Sequence, residues 1–208
     1  MISTRWLSLN SDIRKFIAND KPSNEAAVAE INKVAGQLDV VVASAGILDQ
    51  FGQTATADPA SFLEHYQINT LGFIVLYQAV HYLLLASPSG APILAYISSM
   101  AGSITSYINL HAPAYMGSKA ASNFIVRTID DEDPKLIVFS LHPGWVQTDM
   151  GNAGAVANGM EKAPDTLEES ISGLLRKIDG ATKEGTSGKF LNFQPVPGTT
   201  PPTDEILW

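Results

Sequence analysis

The sequence predicts an α/β fold in which helices cover both faces of a mostly parallel β-sheet, the doubly wound arrangement. Short apolar runs occur without the alternation of polar and apolar residues that marks a sheet open to solvent on one face. Segments with helical spacing of apolar residues lie between these runs, so strand and helix alternate along the chain. We expect a single domain over residues 1–208, because this length suits one hydrophobic core.

Four apolar runs are the predicted strands. The first, residues 40–43, reads Val-Val-Val-Ala and leads into a turn at Gly46. The other three are residues 93–99, 136–141 and 188–193. Ligands of such sheets bind beyond the carboxyl ends of the strands, so the residues that follow each run are the first candidates for a functional site.

Four helices are predicted around these strands. Ser23 is the expected N-cap of the first helix, and Gly36 is its expected stop. A long helix opens at residues 58–59, a third covers about 114–128, and a fourth starts near Asp165.

Three other segments are predicted to be irregular. The acidic run 130–133 is expected to be a solvated loop, and the small residues after Gly151 suit a flexible lid. The Pro-rich segment 195–208 is expected to cover the surface as a strap anchored by residues 206–208.

Composition excludes several classes of function. The chain has 13 Lys and Arg against 21 Asp and Glu, and a net charge of −8 disfavours nucleic acid as a partner. The sequence has no cysteine, which excludes disulfides and thiolate catalysis, and its four histidines are too scattered to predict a metal site. Polar residues interrupt the apolar stretch 71–85, and no secretory signal is recognisable, so we expect a cytoplasmic protein without a membrane span.

Tyr115 and Lys119 form the strongest chemical signal. Residues four apart on a helix share one face, and an ammonium group beside a phenol stabilises the phenolate. Tyr115 could therefore exchange a proton with the oxygen of a carbonyl or alcohol. Ser98 and Ser99 end a predicted strand, where a hydroxyl can donate to a carbonyl oxygen. Asn69 lies in an apolar helix, which indicates a structural or water-holding role.

Five motifs, ASAG, NTLG, SSMAG, YMGSK and LHPGWVQT, follow one another in this order. Together they resemble the short-chain dehydrogenase/reductase superfamily, whose fold is Rossmann-like, and in particular its carbonyl-reductase and fungal ketoreductase-like branches. The resemblance covers about residues 38–151. It implies a catalytic tetrad with Tyr115 as general acid and base, supported by Lys119. Ser99, with Ser98 as the weaker alternative, would orient the substrate oxygen, and Asn69 would hold a water that links Lys119 to solvent.

The resemblance also implies NADP or NAD as cofactor. Asn10 stands where the family has an adenine-contacting Asp, and residues 44–46 stand where it has Asn-Ala-Gly. The turn 143–148 would position the nicotinamide carboxamide. The cofactor-binding residues so implied are Asn10, Ser44, Ala45, Gly46, Tyr115, Lys119, Pro143, Gly144, Val146 and Thr148.

The chain departs from the family pattern on the adenosine side. Its first glycine is Gly36, so we expect an N-terminally truncated fold that lacks the Gly-rich turn for the pyrophosphate. Residues 5–10 resemble the third strand of the family. Without the first two strands, the edge at residues 40–43 would be unpaired, and we expect it to be covered. Residues 5–10, a helix over residues 11–22 or a strand from a second copy could cover it.

The favoured function is an NAD(P)-dependent oxidoreductase that acts on a carbonyl or alcohol of a small hydrophobic molecule. One alternative is a nucleotide-independent isomerase, dehydratase or cyclase that uses the same Tyr115 and Lys119 pair. Another is a non-catalytic relic of the fold. His111 either borders the substrate pocket or is a plain loop residue.

A homo-oligomer is also expected, because the helices over residues 58–85 and 114–128 resemble those through which the family forms dimers and tetramers. The apolar residues Leu63, Phe124 and Ile125 fit this expectation if they face outward from these helices, and the alternative is that they face the sheet.

Overall fold

Four parallel strands form the centre of the computed structural model, which describes residues 18–196, 198–199 and 203–208. The strands are β1 (Val40–Ala43), β2 (Ile93–Ile97), β3 (Ile137–His142) and β4 (Phe190–Asn192). They lie in the order β1-β2-β3-β4, and each neighbouring pair is parallel. This arrangement confirms the predicted parallel sheet.

The helices of the described residues lie before and between these strands. They are α1 (Lys21–Val34), α2 (Pro59–His65), α3 (Gly72–Leu85), α4 (Pro113–Glu132), α5 (Asp149–Ala157), α6 (Leu167–Asp179) and α7 (Lys183–Thr186). A π-helical segment (Tyr66–Leu71) joins α2 to α3, and a short 3₁₀ helix (Met100–Gly102) follows β2.

Two apolar clusters cover the two faces of the sheet. On one face, α1, α3 and α4 pack on the strands through side chains such as Val28, Phe73, Leu83, Val126 and Ile129. On the other face, Ile178 of α6 packs against Ile137, Phe139 and Leu141 of β3. Helices on both faces confirm the doubly wound class, and the burial explains why the strands lack a polar alternation.

The N-cap of α1 differs from the prediction. Asp20 caps this helix, and the backbone N–H of Ser23 donates to its carboxylate over 3.0 Å. Ser23 therefore lies in the first turn, behind Pro22, which the N-terminus of a helix tolerates well. Gly36 adopts φ +70° just beyond the helix, as a stop residue does.

The strand edge at β1 has β2 as its neighbour among the described residues. The predictions for residues 5–10 and for most of the covering helix over 11–22 fall outside the described part of the chain. Of that segment, residues 18–20 form a turn and residues 21–22 begin α1. The covering of the edge stays a prediction.

The run from Pro59 to Leu85 is one continuous helical rod of 27 residues, capped by Asp58. By length and composition it is also apolar enough to cross a membrane, contrary to the expectation from its interruptions. The polar residues that interrupt the apolar stretch 71–85 are Tyr, Gln and His rather than charged residues. They therefore lower the mean hydropathy of the helix only to 1.5. Within this fold, Phe73, Leu83 and Leu84 of the rod are core residues.

The helix predicted to start near Asp165 is α6, which begins at Leu167, so this prediction is confirmed. Its N-cap is Thr166, in a capping box with Glu169. The segment after Gly151 is helical rather than irregular, because it belongs to α5, whose N-cap Thr148 accepts from the backbone N–H of Gly151.

The acidic run is not a solvated loop. Residues 130–132 form the last turn of α4, and two of the carboxylates have cationic or titratable partners. Asp130 accepts from Lys183 Nζ over 2.8 Å, and Asp133 lies 2.8 Å from His81 Nε2. These contacts explain how carboxylates are tolerated near a helix C-terminus, where the dipole disfavours them.

The end of the chain packs on the sheet as expected, with one exception. Ile206 is buried, and the ring of Trp208 stacks on Phe190 at 5.6 Å. Leu207 is 60% exposed and does not anchor the strap through its side chain. Ile125 likewise does not face outward, because it packs against the core cluster under α4.

Candidate active site

A cavity of about 400 Å³ opens at the carboxyl ends of the strands. Its walls combine polar groups from the ends of β2 and β3 with apolar side chains from the surrounding loops and from α5. They include Leu48, Ser99, Ile108, Leu110, Tyr115, His142, Trp145, Val146, Thr148, Met150 and Phe193.

Tyr115 and Lys119 lie one helical turn apart on α4, as the sequence predicts. Both are buried, and Lys119 Nζ is 5.8 Å from the centre of the Tyr115 ring. Gly102 lets the 3₁₀ helix approach this turn, because a Cβ at Gly102 would lie 2.8 Å from the Cβ of Lys119. The close approach places the end of β2 beside the two catalytic candidates.

The Lys119 ammonium is held by two acceptors from β2. It donates to the hydroxyl of Tyr96 over 3.1 Å and to the carbonyl oxygen of Ile97 over 2.8 Å. Burial lowers the pKa of Lys119, and the nearby Tyr115 phenol opposes this shift. The third N–H of the ammonium has no acceptor within the described part of the chain and is free to bind a ligand.

Asn69 fixes the loop that follows β1. Its Oδ1 accepts from the backbone N–H of Ile47 over 2.8 Å, and its Nδ2 donates to Ile47 O and to Ser118 Oγ. Asn69 lies within the π-helical segment, and such segments are frequent at functional sites. Both N–H donors of the amide are therefore used by protein groups, which makes Asn69 a structural clamp at this site.

Ser98 and Ser99 have different surroundings. Ser98 is buried, and its hydroxyl donates to Asn123 Oδ1 over 2.7 Å. Ser99 Oγ accepts from the backbone N–H of Ala101, which leaves the Ser99 O–H available to the cavity. Of the two serines, Ser99 is the one that can donate to a substrate oxygen.

The turn 143–148 is held from outside by Asp165 and Ser170. The carboxylate of Asp165 accepts from Trp145 N–H over 2.6 Å, and Ser170 Oγ donates to Pro143 O over 2.6 Å. Gly144 has φ +88°, and a Cβ there would lie 2.5 Å from Asp165 Oδ2. Val146 and Thr148 line the cavity on this side.

His142 is a site residue that the sequence reasoning missed. It ends β3, lines the cavity, and accepts from Met100 N–H at Nδ1 over 3.2 Å. Burial lowers the pKa of His142 to about 4, so the ring is neutral near pH 7. Because Nδ1 is an acceptor, the proton is on Nε2, which makes His142 a hydrogen-bond donor. The sequence signal that could have identified His142 is its position as a polar residue at the end of a buried strand.

Only some of the residues that the family resemblance implies for cofactor binding lie close to the tetrad. Gly46 lies beside the tetrad, since a Cβ there would be 3.2 Å from Asn69 Oδ1 and 3.5 Å from Lys119 Nζ. Ser44 and Ala45 are exposed at the end of β1, and Asn10 lies outside the described residues. The uncommitted N–H of Lys119 and the adjoining cavity fit the nicotinamide-ribose half of a dinucleotide.

His111 lines a different cavity, of about 480 Å³, together with Tyr107 and Met116. Its backbone is left-handed, with φ +50°. The structure thus favours the loop reading of His111 over a place in the pocket with Tyr115. Among the described residues, no group of three or more His, Cys, Asp or Glu side chains could hold a metal ion.

Comparisons with known proteins agree with this geometry. The family described as short chain dehydrogenase matches residues 11–157. A norsolorinic acid ketoreductase of Dothistroma septosporum is 40% identical over 157 residues, which cover 74% of this chain and 59% of that protein. The norsolorinic acid ketoreductase of Aspergillus parasiticus is 35% identical over 193 residues, which cover 89% of this chain and 67% of that protein. The chain therefore spans about three fifths to two thirds of these relatives.

Two solved structures share the fold. The carbonyl reductase Sniffer of D. melanogaster superposes with a TM-score of 0.75 at 27% identity, over 85% of this chain and 73% of that one. An NADPH-bound carbonyl reductase from chicken fatty liver also gives a TM-score of 0.75 at 27% identity, over 92% of this chain and 75% of that one.

Proposed function

The chain belongs to the short-chain dehydrogenase family, and from this premise we propose that it is an NAD(P)-dependent oxidoreductase acting on a carbonyl or alcohol of a small hydrophobic molecule. One observation carries the proposal. The Tyr115 phenol and the Ser99 hydroxyl line one largely apolar cavity at the carboxyl edge of the sheet, and the buried Lys119 ammonium lies 5.8 Å from the centre of the Tyr115 ring.

These residues divide the chemistry of carbonyl reduction among them. When bound, the dinucleotide supplies the hydride that reaches the carbonyl carbon. The Ser99 hydroxyl donates to the carbonyl oxygen and holds it in place. Tyr115 transfers its phenolic proton to that oxygen, so the carbonyl gains one hydride and one proton and becomes an alcohol. Lys119 stabilises the phenolate that remains.

The cofactor would be NADP or NAD, bound along the edge that runs from β1 to β3. Lys119 and Tyr115 would contact the nicotinamide ribose, and the turn of Pro143, Gly144, Val146 and Thr148 would position the carboxamide. Ser44, Ala45 and Gly46 would lie on the adenosine side. The NADPH held by the chicken carbonyl reductase supports this choice of cofactor class.

The substrate would be a hydrophobic ketone or the corresponding alcohol. Leu48, Ile108, Leu110 and Met150 contribute apolar side chains to the wall of the cavity that Ser99 and Tyr115 also line. Apolar walls with a few convergent polar groups are typical of sites for small molecules. The names of the two fungal relatives, both ketoreductases of norsolorinic acid, support a ketone as substrate.

We also propose a cytoplasmic homo-oligomer. Leu63 of α2 and Phe124 of α4 are 60% and 71% exposed, as expected for residues that a second copy covers. Replacing both with Ser should convert an oligomer to a monomer in light scattering. A wild-type chain that is already monomeric at micromolar concentration would exclude this arrangement.

Nucleotide titration and turnover test the proposed activity. We expect NADPH or NADH to bind, as followed by nucleotide fluorescence, and to reduce members of a panel of hydrophobic ketones. Tyr115→Phe should lower kcat by about 10³-fold, because it removes the proton donor. Tyr107→Phe is the matched control, since Tyr107 is exposed and lies at the other cavity.

Two outcomes would exclude the proposed reaction. One is the absence of binding by either nucleotide at millimolar concentration. The other is turnover of a carbonyl compound without nucleotide that Tyr115→Phe abolishes, which would show acid–base chemistry without hydride transfer.

A further inference from the structure

Tyr96 connects Lys119 to the backbone of Asn69. It lies on β2, where its partners in the neighbouring strands are Ala43 and Ser140, and its side chain is buried on the face covered by α3 and α4. Its hydroxyl lies 3.1 Å from Lys119 Nζ and 3.1 Å from the carbonyl oxygen of Asn69. One hydroxyl thus bridges two members of the expected tetrad.

The direction of each hydrogen bond follows from the groups involved. An ammonium only donates and a carbonyl oxygen only accepts, so the Tyr96 hydroxyl accepts from Lys119 and donates to Asn69. Burial raises the pKa of Tyr96, so the hydroxyl keeps its proton. Chained hydrogen bonds of this kind polarise and strengthen one another inside a protein.

We propose that Tyr96 is a positioning residue that holds the Lys119 ammonium against the π-helical segment and keeps it charged beside Tyr115. This inference rests on the proposed function, in which Lys119 must be cationic to stabilise the Tyr115 phenolate. Two titratable groups face the ammonium within the described part of the chain, the phenols of Tyr96 and Tyr115. Tyr96 is the one that hydrogen-bonds to Nζ.

The hydroxyl stabilises the charged form of a group that is otherwise costly to bury. An ammonium out of water needs acceptors, and Lys119 has two, Tyr96 Oη and Ile97 O. Asn69 O has a second hydroxyl donor, Ser122, at 3.0 Å, but no hydrogen bond joins Ser122 to Lys119 in the described part of the chain. Loss of the Tyr96 hydroxyl would therefore take an acceptor directly from Lys119. Ser122 interacts with the Tyr96 hydroxyl and lies 2.9 Å from Ser118 O, so loss of its hydroxyl would reach Lys119 only indirectly.

The variant Tyr96→Phe removes this hydroxyl and keeps the ring. The ring contacts Phe73, with centroids 4.6 Å apart, and lies 4.8 Å from Lys119 Nζ, so packing and the cation–π contact are preserved. Ser122→Ala is the matched control, because it removes the other hydroxyl from Asn69 O.

The experiment is an NMR titration of the lysine Cε resonances in the full chain, with the Lys119 signal assigned through Lys119→Met. We expect the midpoint for Lys119 to fall by about one pH unit in Tyr96→Phe, because an acceptor of the charged form is lost. Ser122→Ala should shift it much less, because the Tyr96 acceptor remains in place. An unchanged midpoint in Tyr96→Phe, or an equal shift in both variants, would overturn the proposal.

The NMR titration needs neither nucleotide nor turnover. Its result therefore tests the role of Tyr96 separately from the proposed enzymatic activity. If the enzyme is active, Tyr96→Phe should also lower kcat about tenfold, with little change in KM. As the pH is raised, Lys119 should lose its proton earlier in the variant, so kcat should begin to fall at a pH about one unit below that of the wild type. If Tyr96→Phe does not fold, the wild-type chain provides the test. We expect a slowly exchanging Tyr96 hydroxyl proton with a nuclear Overhauser effect to the Lys119 Cε protons, and its absence would overturn the proposal.

Discussion

The backbone N–H of Met100 donates to Nδ1 of His142 over 3.2 Å and so fixes the neutral form of a histidine that lines the cavity. This contact couples the 3₁₀ helix after Ser99 to the end of β3. It also makes the stability of the fold depend on the protonation of His142, because a protonated ring cannot accept this bond.

Stability should decrease as the pH falls from about 6.5 to 4. Burial lowers the pKa of His142 to about 4, whereas the unfolded chain takes up the proton near its ordinary value of 6.5. The unfolded state therefore binds more protons in this interval, and about 3 kcal/mol of the free energy of unfolding should be lost across it. Urea unfolding between pH 7.5 and 4.5 measures this loss.

Carboxylates also titrate in this pH range. The variant His142→Gln separates the contribution of the histidine to the pH dependence of stability from theirs. The pH dependence of this variant should be shallower than that of the wild type. Parallel curves for the two proteins would contradict a buried neutral His142.

The turn at Gly144 should tolerate no side chain. The variant Gly144→Ala combines a strained φ of +88° with a Cβ placed 2.5 Å from Asp165 Oδ2 and 2.6 Å from Phe193 Cε1. We expect it to lower the free energy of unfolding by about 3 kcal/mol, measured by urea titration.

Gly159→Ala is its control, because Gly159 has φ +78° and no atom within 4 Å of the added Cβ. It should cost only about 1 kcal/mol of backbone strain. Equal costs for the two variants would mean that Asp165 and Phe193 do not enclose the turn.

Lys183 should stabilise the fold more than an ordinary surface lysine does. Its ammonium donates to Asp130 Oδ1 and to Leu136 O, each over 2.8 Å, and thereby joins α7 to the end of α4. Lys183→Met removes the cation that hydrogen-bonds to the half-buried Asp130 carboxylate, so thermal and urea unfolding should show a loss of about 2 kcal/mol.

Lys33→Met removes a lysine whose contact with Glu30 is also 2.8 Å long but exposed. This control should change stability by less than about 0.5 kcal/mol. A loss of stability as large as that of Lys183→Met would mean that the Lys183–Asp130 pair contributes no more than the exposed Lys33–Glu30 pair.

The parts of the fold that depend on local pattern could be predicted from the sequence. The core strands are continuous apolar runs, and the predicted bounds of β1 agree with the structure. Tyr115 and Lys119 were recognisable because a spacing of four residues places two side chains on one helix face. The helix α5 could not be predicted in this way, since its small residues suggest flexibility and its N-cap, Thr148, belongs to the turn 143–148.

The parts that depend on distant contacts could not be predicted. The π-helical segment exists where Asn69 reaches across to Ile47, 22 residues earlier, and no local pattern encodes that distance. Tyr96 looks like one more apolar residue of a buried strand, and its role is visible only once β2 lies against α4. His142 stands in the LHPGWVQT motif, but its hydrogen bond to Met100 joins segments 42 residues apart, and no local pattern encodes that contact.

The two adjacent serines at the end of β2 should respond differently to the loss of their hydroxyl groups. In Ser98→Ala the buried Asn123 Oδ1 loses one of its two hydroxyl donors and keeps Ser140, so the free energy of unfolding should fall by about 1 kcal/mol. In Ser99→Ala the cavity loses the donor proposed for the substrate oxygen, so kcat should fall by about 10²-fold, and the uncapped N–H of Ala101 should cost ~1 kcal/mol of stability. Urea unfolding and ketone reduction, measured on both variants, give the two quantities. The opposite pattern, with activity lost in Ser98→Ala and kept in Ser99→Ala, would mean that Ser98 rather than Ser99 contacts the substrate.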